Sequence, residues 1–203
     1  MNAAESTHED LRYVRQLAES GAHAPLLGGR FMAWWGTLLT AAYLAQHLAL
    51  AGTIGDGGTI YLLIWGSFGM LGLGGQWLLG RSMPGKAGAG SAANRASRVA
   101  WCSAALAIAS MVGGATVTAA SGGGPATFDW IVPVAFAVYA CALLVTGSLA
   151  KSRVAMAAGA GAIAMVGLYA AFVHSPERYL LAAAGIFLTV LLPGLLLLKA
   201  EPR

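Results

Sequence analysis

Four side chains in an otherwise apolar chain have the chemistry to hold a metal ion or to sense pH: His47, Asp129, His174 and Glu177. Imidazole nitrogens and carboxylate oxygens are ordinary ligands for divalent transition metals. Imidazole also changes charge close to neutral pH. Together with Asp56, these residues fall near the same end of the apolar runs or loops that carry them, so a helical bundle would gather them at one mouth. Their spacing matches no metal motif, and loop acids of this kind are more often simply solvated. His47 and His174 could in principle ligate a haem iron, a common use of paired histidines. His8-Glu9 lacks the second histidine of a zinc-protease helix, and Gly88-x-Gly90-x-x-Ala93 follows no strand that would make it a dinucleotide loop. No P-loop and no Ser/His/Asp pattern is present. No cofactor is expected, and catalysis is disfavoured.

A second group of residues points to contact rather than chemistry. Arg12, Arg15, Arg81, Lys86, Arg95 and Arg98 lie in the two longest segments outside the apolar runs. Guanidinium and ammonium groups beside a membrane are drawn to anionic lipid headgroups. They also suit a protein partner. Thr7 with Asp10 is a capping-box-like start for a helix over 8–20. Leu11, Val14 and Ala18 share one of its faces and Arg12 and Arg15 lie toward the other, the pattern of an amphipathic helix resting on a leaflet or docking a partner.

The elements that must position these residues follow from composition. The 203 residues are 58% hydrophobic and 10% charged, with mean hydropathy +0.69. A soluble domain carries about a quarter charged residues, so this chain cannot cover a water-facing surface. Six apolar runs, at 31–51, 59–80, 99–120, 128–149, 154–173 and 179–198, approach the roughly 20 residues a transmembrane helix needs. Backbone in hydrocarbon must satisfy its own hydrogen bonds, and runs this long without alternation read as helices. The expected fold is all-α: a polytopic bundle of six transmembrane helices over 31–198, preceded by an N-terminal segment 1–30 and followed by a tail 199–203. Residues 1–30 contain Glu5, Glu9, Asp10 and Glu19 and no apolar core, so no cleaved signal peptide is expected.

Basic residues set the orientation. Eleven of the 12 Lys and Arg residues fall on one side, and Arg178 stands alone on the other. Positive charge stays on the cytoplasmic face, so both termini are expected inside and the net charge of +4 needs no nucleic acid to explain it. Aromatic residues cluster near the span ends, as membrane interfaces favour.

Small residues suggest seams. Ser110, Gly114 and Thr118 in the third run, and Ala155 with Gly159 in the fifth, recur at four-residue spacing. In lipid such faces let helices approach closely, within one chain or between copies in a homo-oligomer. Glycines 66, 69, 72, 74 and 75 soften the second run, and Pro133 and Pro193 are expected to bend the fourth and sixth. Cys102 and Cys141 form no CxxC pair and read as buried small hydrophobes. Ser97-Arg98-Val99-Ala100 and Ser152-Arg153-Val154-Ala155 hint at repeated hairpins, though an interfacial arginine before each inward-to-outward helix explains them as well.

A charged stretch followed by Gly28-Gly29-Arg30-Phe31, over residues 10–36, resembles uncharacterised six-helix bacterial inner-membrane proteins. The resemblance implies a multi-pass protein of the cell inner membrane, sometimes working with a companion regulator, and supplies no catalytic residue. The expected function is that of a small regulatory, sensory or accessory membrane protein engaging a cytosolic partner. A facilitative transporter or channel-like protein for a small solute is the first alternative, and a membrane metal or haem protein the second.

Overall fold

The computed structural model describes residues 26–201 except Asp56, Pro84 and Ala87, together with Arg12. The expected amphipathic helix over 8–20, Arg15 included, otherwise lies outside the described residues. Among the described residues there is no strand, and six helices account for most of the chain: α1 (Gly29–Leu50), α2 (Gly58–Arg81), α3 (Ala92–Gly123), α4 (Ala126–Leu149), α5 (Arg153–Ala171) and α6 (Arg178–Ala200). Helices α2 to α6 are long and apolar enough to cross a membrane. The outward face of α2 leaves Leu62, Met70 and Leu73 about 70% exposed or more, which suits hydrocarbon and not water. The chain is built as a multi-pass membrane protein.

Helix α1 differs. Its 22 residues would span about 33 Å, yet Trp34, Trp35, Gln46 and His47 make it less apolar than the other five. It packs between α2 and α6, and there Trp35 and Gln46 find hydrogen-bond partners on α2, whereas Trp34 Nε1 and His47 Nδ1 have none among the described residues. The helices lie side by side in the order α2, α1, α6, α5, α4, α3, and α2 and α3 make no extensive contact with each other. The core sits where α1, α4, α5 and α6 meet, around the fully buried Phe136, Leu143, Tyr169 and Ile186.

Glycine governs the closest seams. A Cβ added to Gly36 would stand 2.7 Å from Leu191 Cα, and one added to Gly194 would stand 2.6 Å from Ala33 N. Gly29 likewise lies against the backbone of Leu197 and Leu198. Backbone therefore rests on backbone along α1 and α6. The fifth-run seam also forms: Gly159 faces Leu144, and Gly147 faces Ala155 and Met156, which joins α4 to α5. The third-run seam does not. Ser110, Gly114 and Thr118 are exposed, and α3 instead turns Ser97, Ala104 and Ala115 inward. Spacing of small residues identified a stripe there but not the face that packs.

Three further expectations need adjustment. The segment 81–98 is not loop throughout, since α3 starts at Ala92, and Ser91 caps it by accepting from Asn94 N at 3.2 Å. Ser152 caps α5 in the same way, but Ser97 lies two turns inside α3, so the two Ser-Arg-Val-Ala stretches are not structural equivalents. Cys102 and Cys141 are unpaired and exposed on outward helix faces rather than buried. At Pro193 the departure is a change of helix type: α6 opens into a π-turn at Phe187–Leu191 just before it. A proline ring crowds the carbonyl four residues back, and one wide turn relieves that clash.

The α1–α6 seam predicts a contrast. Gly36→Leu or Gly194→Leu should lower stability by about 3 kcal/mol or more, since the neighbouring backbone has nowhere to retreat. Gly66 has open space around it, so Gly66→Ala should change stability by less than about 1 kcal/mol, toward stabilisation. Thermal unfolding in detergent measures both, and equal losses at Gly36 and Gly66 would refute the seam.

Candidate functional site

Polar side chains gather at the two ends of the bundle. We call the end that carries most of the lysines and arginines the basic end and the other the far end.

At the far end, Gly122 and Gly124 take positive φ and break α3, and a short 3-10 turn over Pro125–Trp130 delivers Asp129 to the start of α6. Glycine supplies this backbone at no steric cost. Asp129 Oδ1 accepts from Tyr179 OH at 2.6 Å and from Arg178 Nε at 3.1 Å. Arg178 Nη1 also donates to the carbonyl of Ser175 at 3.2 Å, which ties down the turn between α5 and α6. A carboxylate beside the first turn of a helix meets the positive end of its dipole. The ion pair is mostly shielded, with Arg178 and Asp129 side chains 21% and 15% exposed.

Tyr179 continues this cluster into the bundle. Its ring stacks on Tyr43 at 6.1 Å, and Tyr43 meets the edge of Trp65 at 5.4 Å. Trp65 contacts Phe68, and Phe68 contacts Trp35. The indole N–H groups of Trp65 and Trp35 donate to Gln46 and Gln76, each at 2.9 Å. Gly72 and Gly75 leave room for the rings of Trp35 and Trp34. An unbroken aromatic column thus runs along the α1–α2 seam from Asp129 toward the basic end.

At the basic end, Arg30 opens α1 and binds Glu201 at the end of α6. Its Nη2 and Nε donate to Glu201 Oε2 at 2.6 and 3.1 Å, and its Nη1 donates to Ser82 Oγ at 2.9 Å. Three helix ends meet in this knot. Nearby, Asn94 accepts from Leu27 N at 3.0 Å and donates to the carbonyl of Gly88 at 2.9 Å. The residues leading into α1 and the loop leaving α2 are held to the first turn of α3.

The four metal candidates are not brought together as a ligand set. Asp129 is engaged by Arg178 and Tyr179, His174 and Glu177 are exposed in the α5–α6 turn, and His47 is half-buried on α1. Among the described residues no three His, Cys, Asp or Glu side chains gather so as to hold a metal. His47 Nδ1 and the fully buried Tyr169 hydroxyl have no protein partner among those residues. Of the contact candidates, Arg81, Lys86, Arg95 and Arg98 share one end, where α2 finishes and α3 begins, and Arg15 lies outside the described residues. Arg81 lies 4.1 Å over the Trp77 ring, Lys86 is half-buried, and Arg12, Arg95 and Arg98 are exposed.

Sequence reasoning missed Arg178, Tyr179, Arg30 and Glu201 as polar-site residues. One signal was present: Arg178 is the lone basic residue on its side of the predicted membrane, and an isolated exception of that kind needs a partner. Nothing in the short tail marks Glu201 for burial. Comparison with protein-family models, curated proteins and solved structures returned no match.

Tyr179→Phe should cost about 1.5–3 kcal/mol, the range for a hydrogen bond to a charged group. In an Asp129→Ala background the same substitution should cost much less. A double-mutant cycle by thermal or denaturant unfolding measures the coupling, and additive effects would separate the two residues energetically.

Proposed function

We propose that this chain is a small regulatory, sensory or accessory protein of the bacterial inner membrane, that all six helices cross the bilayer, and that both termini are cytoplasmic. In this reading the basic end docks a cytosolic protein. One observation carries it: α3 extends beyond its apolar run and presents Arg95 and Arg98, both exposed, at the basic end. Neither pairs with an acid among the described residues. The hydrogen bonds of Asn94 hold these turns to the chain on either side, so the surface is ordered before anything binds. Preorganised surfaces lose less entropy on docking.

The orientation rests on eleven basic residues against one. The lower apolarity of α1 is consistent with crossing in contact with α2 and α6 rather than with lipid alone. A solute pathway would have to pass Phe136, Leu143 and Ile186, which fill the bundle centre, and no observation favours one. The far-end acid and histidines give a metal or haem reading no closer geometry.

Two measurements test the proposal. Cysteines introduced at Gly52 and at Arg95 should be labelled by a membrane-impermeant reagent from the periplasmic and the cytoplasmic side respectively. Crosslinking in cells should recover a cytosolic protein with the wild type, and Arg95→Gln/Arg98→Gln should reduce its recovery by at least about fivefold, as loss of two charge contacts implies. An unchanged partner set, or reversed labelling, would overturn the reading.

A further inference from the structure

A groove of about 480 Å³ opens on the outer surface between α5 and α6. It falls within the roughly 300–1,000 Å³ of small-molecule sites. Its walls are Val154, Ala157 and Gly161 on one side and Leu188, Leu192 and Leu196 on the other. Two features of the chain create it. Small residues on α5 leave the surface low, and on α6 the π-turn and Pro193 interrupt the regular helix surface. Thr189 lies in the groove, but its hydroxyl donates to the carbonyl of Gly185 at 2.7 Å, so its polar atom is already satisfied.

Arg153 lines the groove at its basic-end mouth and is the sole charged residue among the lining side chains. It is exposed and has no acid partner among the described residues. Lys151 lies two residues away in the turn before α5 and is also exposed. From Arg153 to Met165 the groove follows twelve residues of α5, about 18 Å by helix rise. One leaflet of a bilayer core is about 15 Å deep.

We propose that this groove binds one anionic phospholipid, with an acyl chain along α5 and α6 and the phosphate at Arg153. Length decides against the main competitor: a helix from a second copy would run the full membrane depth, whereas the groove ends near mid-depth. Charge decides the headgroup, because Arg153 and Lys151, neither with an acid partner among the described residues, favour a headgroup of net negative charge over a zwitterionic one whose phosphate is already balanced. Basic pockets between helices are a recurring form of such sites. The inference requires α5 and α6 to be in a bilayer but does not depend on a cytosolic partner, so either can fail alone.

Native mass spectrometry of the full chain with equal amounts of phosphatidylglycerol and phosphatidylcholine of identical acyl chains tests it. Phosphatidylglycerol should be retained at least about fivefold over phosphatidylcholine. Arg153→Gln should bring that ratio close to one. Ala157→Phe, at an exposed position that obstructs the trough, should reduce retention of both lipids while leaving the unfolding temperature unchanged. Equal retention by the wild type, or an undiminished adduct in Ala157→Phe, would overturn the proposal. So would efficient disulfide formation between copies carrying Ala157→Cys in membranes, which would make the groove a subunit interface.

Discussion

Backbone resting on backbone along α1 and α6 determines how the other helices can be placed. In hydrocarbon, helices gain little by burying apolar side chains, because lipid is as apolar as leucine. What remains is close packing and a few polar contacts. Gly29, Gly36 and Gly194 bring the two helices together without intervening side chains. That approach turns Trp34 and Trp35 away from α6 and onto α2, where Gly75 and Gly72 receive them. Helix α2 packs principally on α1, so its position is a consequence of the α1–α6 contact.

Polar groups then act as fasteners. Gln46 and Gln76, the two amides at membrane depth, each accept from a tryptophan across the α1–α2 seam. A donor with no partner in lipid is costly, which gives such bonds directional value even where their net energy is modest. Most intramembrane hydroxyls are silenced locally: Thr37, Thr116, Thr146 and Thr189 each donate to the carbonyl four residues back. This bonding leaves helix surfaces apolar despite the threonines.

Much of the architecture was legible in the amino-acid order because hydrocarbon imposes a simple rule. Run length and lack of charge located all six helices within a few residues, except at the start of α3. There the first two turns carry Asn94, Arg95 and Arg98, so hydropathy hides a helix that Ser91 caps. The site was less legible because partners distant in sequence decide it. Asp129 looks like a free ligand until Arg178 and Tyr179, about fifty residues later, fold onto it. Small-residue spacing succeeded for Gly159 and failed for Gly114, since a helix surface bears several such stripes and only the neighbour selects one. Nor does the order of residues announce that Trp35 and Trp65 fill the α1–α2 seam. Their indole N–H groups find amides there, and amphipathic rings suit a buried seam as well as a membrane interface.

The two ends of the bundle use charge in opposite ways, and that difference resolves the one exception to the charge bias. Arg178 sits at the far end, apart from the cluster of basic residues, and there Asp129 neutralises it while Tyr179 shares the carboxylate. At the basic end only Arg30 has an acidic partner among the described residues. Arg81, Arg95, Arg98, Lys151 and Arg153 have no acid partner among the described residues. A paired guanidinium contributes a structural bond and little net field, whereas unpaired ones attract headgroups and phosphates. The far end is therefore closed by its own ion pair, and the basic end retains a field directed outward.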